Sequence, residues 1–149
     1  MCSIVGGETA ARLMLVGILA MPQAVLQELL PETLAQGAQS RIEQPRQVVV
    51  RTVEAWRALW AAHSSQPAPP VDFSRVVVVG VFLGGRPTAG FRVEITGVTS
   101  QAGQAVVRFV EHRPAPDAIL AQIITAPFHL VVLPASLGSI TFQQSESPR

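Results

Sequence analysis

Few residues in this sequence are of a type and spacing suited to chemistry. The three histidines, His63, His112 and His129, fall in different predicted elements, and no two have the spacing of metal ligands. Cys2 is the one cysteine, so neither a disulfide within the chain nor a cysteine-rich zinc site can form. The sequence has no nucleophile elbow, phosphate-binding glycine loop or zinc-hydrolase motif. We therefore predict no catalytic residue, no metal and no cofactor.

The charge distribution does not favour a nucleic-acid partner. All 11 basic residues are arginines, they are spread along the chain, and 10 acidic residues leave a net charge of +1. Nucleic-acid binding needs a concentrated basic surface, with aromatic side chains to stack on bases. We therefore do not expect a nucleic-acid partner.

The most distinctive segment is the glycine loop, residues 84–91, with the sequence Gly-Gly-Arg-Pro-Thr-Ala-Gly-Phe. Glycines and a proline at these positions specify unusual backbone angles. One interpretation is a wide connection between two strands, and the other is a binding loop that presents Arg86 and Thr88 from a rigid base. The candidate interaction residues are Gly84, Gly85, Arg86, Pro87, Thr88, Gly90 and Phe91.

Four residues outside the loop are candidates to support it. Asp72, directly before a strand, is typical of a turn or cap. Thr125, Pro127 and Phe128 belong to a Thr-Ala-Pro-Phe stretch that indicates a bulge or the start of a strand. We expect this stretch to pack beside the glycine loop, with Phe128 beneath it.

The elements that must position these residues follow from the apolar pattern. Residues 75–83 form a continuous apolar run, which is typical of a central strand buried on both faces. Thr52 can cap a helix that ends near His63, in which Val53, Trp56 and Trp60 share one face. Further strands are predicted at 46–51, 91–96, 105–111, 119–124, 128–133 and 139–142.

Together these elements predict an α+β fold. Six to seven strands joined by short turns imply a mainly antiparallel, curled β-sheet with one packed amphipathic helix. An all-β barrel or sandwich that carries one helix is the alternative.

The N-terminal part of the chain has a different composition. Residues 13–21 are nine uncharged residues behind Arg12. This length fits a signal-peptide core of about 7–15 residues better than a spanning helix of about 20. We expect an apolar leader at 1–38 (a signal peptide or an N-terminal anchor helix), a globular domain at 39–144 and a disordered tail at 145–149. The alternative for the leader is a buried or amphipathic helix.

That division predicts an exported protein, located in the periplasm, the cell envelope or the medium. Contact with a membrane is expected only through the leader, if it stays uncleaved. The nearest small-residue cleavage motif for a signal peptidase is Ala35-Gln36-Gly37.

The loop and its flanks resemble a known family. Asp72-Phe73-Ser74, a valine-rich strand that ends at Gly84, and the Arg-Pro-Thr-Ala-Gly-Phe stretch resemble the C-terminal domain of the protease complex subunit PrcB family. The resemblance extends over residues 39–143. The family's loop has Thr-Gly-Gly-Tyr, where this chain has Ala89 for the first glycine and Phe91 for the tyrosine, so the phenolic hydroxyl is absent.

The resemblance implies an exported bacterial accessory protein of a protease complex, without peptidase activity of its own. Our leading hypothesis is therefore a non-catalytic accessory or binding module with the glycine loop as its contact surface. A protease inhibitor that inserts this loop into an active-site cleft is the second hypothesis, since a preorganised loop loses little entropy on binding. A hydrolase with an unrecognised site is the third, and a purely structural role in the envelope also stays open.

Overall fold

The computed structural model describes residues 25–147. Within them the chain forms one helix and eight strands, which make two four-stranded sheets. The elements are β1 (Gln27–Leu29), β2 (Glu32–Gly37), β3 (Arg46–Val50), α1 (Val53–His63), β4 (Val76–Phe82), β5 (Arg92–Gln101), β6 (Gln104–His112), β7 (Phe128–Pro134) and β8 (Ile140–Ser145). Sheet 1 has the order β1-β5-β6-β8, and sheet 2 has the order β2-β7-β4-β3. All strand pairs are antiparallel except β6 with β8, which are parallel.

The α+β prediction is confirmed, with two differences in detail. The strands do not form one curled sheet around the helix; they divide into two sheets that pack face to face, with the helix on the outer face of sheet 2. The number of strands is also eight, not six or seven. None of the helices within residues 25–147 has both the length and the hydropathy to cross a bilayer.

Strand β4 of sheet 2 lies between sheet 1 and the helix. It is buried on both faces, as its apolar sequence predicts. Val77, Val79 and Val81 belong to the core between the two sheets. Val78 and Phe82 point the other way, into the core beneath the helix. Because β4 runs directly into the glycine loop, both cores fix the position from which the loop leaves the sheet.

Helix α1 is the predicted helix, with the predicted cap. The Thr52 hydroxyl accepts a hydrogen bond from the Ala55 N–H (3.2 Å), which satisfies one of the free donors of the first turn. Trp56 and Trp60 are buried against sheet 2, whereas Val53, in the first turn, stays exposed. The two indole N–H groups donate to backbone carbonyls at 69 and 66 and so hold the proline-rich connector 64–70.

The N-terminal boundary of the domain needs a correction. The leader was predicted to reach residue 38, yet β1 pairs with β5 and β2 pairs with β7. Residues 25–38 therefore belong to the domain, since they add an edge strand to each sheet. The apolar run at 13–21, on which the leader prediction rests, lies outside the described residues. At the other end β8 continues to Ser145, the first residue of the predicted tail.

Residues 119–124 do not form the predicted strand. They belong to an irregular segment between β6 and β7, and three of their side chains are exposed isoleucines. The β-branched sequence favours an extended conformation, but a strand needs a neighbour, and the described residues supply none along this segment.

Candidate functional site

The glycine loop is fixed through its backbone where it leaves β4. Leu83 N–H donates to the Pro127 carbonyl (3.0 Å), and Gly85 N–H donates to the Glu43 carbonyl (3.1 Å). Arg86 and Thr125 then exchange two backbone hydrogen bonds of 2.7 and 2.9 Å, which form an isolated antiparallel bridge. The loop is thus held between two other segments of the chain, as a rigid base requires.

Gly84 and Gly90 take backbone angles that other residues avoid, with φ of 78° and 93°. Ala89 is not among the residues with positive φ, so the alanine found where the family has glycine does not require a left-handed backbone. Gly90 also lies close to Pro114, because a Cβ at position 90 would be 2.9 Å from the proline Cβ.

The Arg86 side chain points into the protein and is not presented at the surface. Its Nε and Nη2 donate to the two carboxylate oxygens of Glu111 on β6, at 2.8 and 3.2 Å. Nη1 donates to the carbonyls of Leu83 and Gly85. Arg86 and Glu111 are 24% and 7% exposed in their side chains. Arg86 therefore fastens the loop to sheet 1, which residue type and local sequence did not predict.

Breaking this ion pair is expected to destabilise the fold. In Glu111→Gln, the Arg86 guanidinium loses its anion, which in a buried site costs about 3–5 kcal/mol. Because Arg86 is partly exposed and water can solvate its guanidinium, we expect a smaller loss of unfolding free energy, about 1–3 kcal/mol. Urea denaturation measures it.

Arg92→Gln is the matched control. Arg92 lies 3.6 Å from Glu94 in a pair open to solvent. We expect a change below about 0.5 kcal/mol, because water screens exposed pairs. Equal losses in the two variants would contradict the structural role assigned to Arg86.

Thr88 is also turned toward the protein. Its hydroxyl donates to the neighbouring Ala89 carbonyl (2.9 Å), and its carbonyl accepts from the hydroxyl of buried Thr125 (2.9 Å). Ala89 N–H donates to Ala121 O (3.1 Å). The exposed parts of the loop are therefore Gly85, Pro87 and Gly90, with Phe91 half-buried.

The four supporting residues divide between the two ends of β4. Thr125 and Pro127 contact the loop through the hydrogen bonds described above. Phe128 pairs with Phe82 at the end of β4, and its ring lies 4.2 Å from that of His63, centroid to centroid, in the core beneath the helix. Phe128 thus supports the strand that leads into the loop.

Asp72 lies at the opposite end of β4, away from the loop. Its carboxylate accepts hydrogen bonds from the Ser74 hydroxyl (2.5 Å) and the Ser74 N–H (3.0 Å). Both bonds lower the pKa of Asp72, and the bond from the Ser74 hydroxyl has the larger effect. Asp72 is therefore the turn residue that its position predicts, and the structure does not bring it to the loop.

An open cleft of about 480 Å³ lies beside the end of the glycine loop. It is lined by Gln36, Gly37, Ala38, Gly90, Phe91, Arg92 and His112. Glu94 lies next to it and contacts His112, with 2.9 Å between Nε2 and Oε2. Sequence reasoning missed the first three lining residues because it placed them in the leader, and only the pairing of β2 with β7 brings them here.

The three histidines have separate partners. His63 Nδ1 lies 2.8 Å from the Ser40 hydroxyl, and His112 contacts Glu94. His129 Nδ1 accepts a hydrogen bond from Ile95 N–H (2.8 Å), so the proton of the neutral ring is on Nε2, which donates to the Thr33 hydroxyl (2.9 Å). No group of three or more His, Cys, Asp or Glu within residues 25–147 is arranged to hold a metal ion.

Burial lowers the pKa of His63. Burial also lowers the pKa of His129, although the negative charge of Glu94 raises it in part. The folded state therefore binds these protons less readily than the unfolded chain does. The stability that depends on neutral rings is complete above the ordinary pKa of about 6.5 and is lost as the pH falls from there through the lower pKa of the folded state.

We accordingly expect a lower unfolding free energy at pH about 5.5 than at about 7.5, a range in which ordinary carboxyl groups stay ionised. Urea denaturation at both pH values measures the difference. In His129→Gln the dependence should be weaker, because glutamine does not titrate and its carbonyl can still accept from Ile95 N–H. A difference of the same size in the variant would contradict the assignment to His129.

Residues 77–134 match the family model described as PrcB C-terminal. The matched part runs from β4 to the end of β7, so it contains the glycine loop, Glu111 and Thr125. This match confirms the resemblance over those residues. No curated protein and no solved structure matches the chain.

Proposed function

We propose that this protein is a non-catalytic accessory module that binds a protein partner in a protease complex, with the glycine loop as its contact surface. One observation carries the proposal: the part of the chain that matches the PrcB C-terminal model contains the whole loop together with Glu111, Thr125 and Pro127, which hold it through hydrogen bonds. Loops on rigid bases commonly carry binding functions.

The construction of the loop supports binding without a large entropic penalty. Its backbone is fixed at Gly85 and Arg86 before any partner arrives, so little conformational freedom is lost on association. The exposed groups are Gly85, Pro87 and Gly90. A partner would therefore contact mainly backbone and the proline ring.

The same geometry favours an accessory role over the inhibitor hypothesis. A loop that blocks a protease usually inserts a side chain into the specificity pocket. Arg86 and Thr88, the two side chains predicted for presentation, are engaged with Glu111 and with the loop itself.

We also propose that the protein is exported, and that any cleavage of the leader occurs before β1. Cleavage after Ala35-Gln36-Gly37 would remove β1 from sheet 1 and the whole of β2 from sheet 2. N-terminal sequencing of the protein recovered from the envelope or the medium tests this proposal. A first residue upstream of Gln27 is expected, and a mature chain that begins near Ala38 would contradict it.

The contact surface is tested by capture of the native complex. The full-length tagged protein is expressed in its own host, and the envelope fraction is assayed for peptidase activity that co-purifies with it. Gly85→Glu is the test variant, because a Cβ at Gly85 has no atom within 4 Å and its φ is not positive. Ala61→Glu, on an exposed position of α1, is the matched control.

We expect wild type and Ala61→Glu to retain equal peptidase activity and Gly85→Glu to lose about tenfold or more, which corresponds to about 1.4 kcal/mol of binding. The captured peptidase should be active in the wild-type complex. A peptidase that becomes active only with Gly85→Glu would support the inhibitor hypothesis. Hydrolysis by the purified protein alone would support the hydrolase hypothesis, and wild type without any peptidase would overturn the proposal.

A further inference from the structure

The segment Ile119-Leu120-Ala121-Gln122-Ile123-Ile124, here called the isoleucine segment, leaves a large apolar surface in water. Ile119 is 102% exposed and Ile124 is 77% exposed, and Ile123 is exposed as well. Soluble monomers rarely expose neighbouring large apolar side chains in one patch, and such patches commonly mark interfaces. The sequence predicts a strand here, yet the described residues provide no neighbouring strand.

The isoleucine segment is held in place by the body of the domain. Ala121 O accepts from Ala89 N–H (3.1 Å), and Thr125, one residue beyond the segment, is bridged to Arg86. Leu120 lies against Gly90, where an added Cβ would be 3.0 Å from Leu120 Cδ2. The exposure of the isoleucines is therefore a property of a fixed surface.

The chemistry of the segment favours a second copy of this chain as the partner. The segment has no charged residue, and neither do residues 125–128 that follow it. Two copies can approach without the repulsion that like charges would cause, and the segment offers no charge to select an oppositely charged protein. Its apolar residues are also symmetric about its centre: two apolar residues stand at each end, with Ala121 and Gln122 between them.

We propose that the isoleucine segment is a self-association surface, on which the same segment of a second copy packs about a two-fold axis near Ala121–Gln122. This arrangement brings Ile119 of each copy toward Ile124 of the other. In such an interface each contact occurs twice, as in the isologous dimers that are commonest among homo-oligomers. The proposal goes beyond the proposed function, because it needs no contact at Gly85.

The interface is small, and this sets its strength. A standard interface buries about 800 Å² per partner, more than one six-residue segment supplies. Pro116 and Pro127 bracket the segment and limit how far strand pairing can extend. We therefore expect a weak, reversible dimer with a dissociation constant in the micromolar range, about −6 to −8 kcal/mol.

Analytical ultracentrifugation of the full-length protein over about 1–200 μM tests the proposal, since that range spans the expected dissociation constant. The test variant is Ile119→Asp/Ile124→Asp. The control is Leu30→Asp, which places one such charge on an exposed leucine between β1 and β2. Circular dichroism and thermal unfolding confirm that each variant folds, and Ile119→Thr/Ile124→Thr replaces the double aspartate variant if it does not.

We expect the mass of wild type and Leu30→Asp to rise toward twice the monomer mass with concentration, while the test variant stays at the monomer mass. High salt should leave the wild-type dimer intact, because its contacts are apolar. A wild type that is monomeric throughout would overturn the proposal, as would association that persists in the test variant or is lost equally in Leu30→Asp. If the monomeric test variant still captures peptidase, self-association and binding of the protease partner are separate properties of the protein.

Discussion

Replacing Gly84 by alanine is expected to lower the unfolding free energy by about 2–4 kcal/mol. The loss has two causes: the left-handed backbone at this position disfavours a side chain, and the added Cβ overpacks the site. Gly84 has φ of 78°. A Cβ there would be 2.8 Å from Glu43 O and 2.9 Å from Pro45 N. These are backbone atoms, and the Gly85 N–H to Glu43 O bond keeps them close, so they have little room to move.

Gly85→Ala is the matched control, one residue away. Its Cβ would meet no atom within 4 Å, and its φ is not positive. We expect a change within about 0.5 kcal/mol, because surface substitutions without strain are usually neutral. Denaturant unfolding of both variants gives the comparison. Similar effects at 84 and 85 would show that the loop is not clamped as described.

The second large effect is expected at the helix. Trp56→Ala should lower the unfolding free energy by about 3–5 kcal/mol, the usual loss for a buried aromatic residue. Trp56 is almost fully buried, its ring centre lies 5.3 Å from that of Trp60, and its indole N–H donates to Pro69 O (3.1 Å). Deleting the side chain leaves a cavity between α1 and sheet 2 and frees the connector.

Arg57→Ala is the matched control for an alanine substitution in α1. Arg57 is the next residue in α1 and is exposed, so its replacement removes no buried surface. We expect a change below about 0.5 kcal/mol from thermal or urea unfolding. If Trp56→Ala were equally mild, the packing of α1 on sheet 2 would be contradicted.

The helix and the central strand follow from the sequence because their signals are local. The Thr52 cap, the tryptophan stripe and the valine run of β4 each lie within about a dozen residues, where periodicity is informative. The position of the glycine loop between β4 and β5 follows in the same way, because glycine permits backbone angles that other residues avoid and proline fixes φ.

The features that the sequence analysis missed depend on distant pairings. β1 has three residues, and no short-range pattern indicates that it pairs with β5, about 70 residues later. The same holds for the pairing of Arg86 with Glu111, since nothing around either residue specifies the other. The division into two sheets likewise depends on β4 pairing with the distant β7 and not with β5, the next strand along the chain.

Residues 119–124 show the converse case. Their β-branched composition favours a strand, but within residues 25–147 no strand lies beside them. Strand preference largely reflects packing against neighbours, so it cannot create a strand alone.

Hydrogen exchange, measured by mass spectrometry on the captured complex and on the free protein, tests the central claim that the glycine loop contacts the partner. We predict slower exchange in the complex for peptides that contain residues 84–91, with α1 unchanged. Unchanged exchange in the loop, with protection confined to α1 or to β8, would place the contact surface elsewhere and contradict the claim.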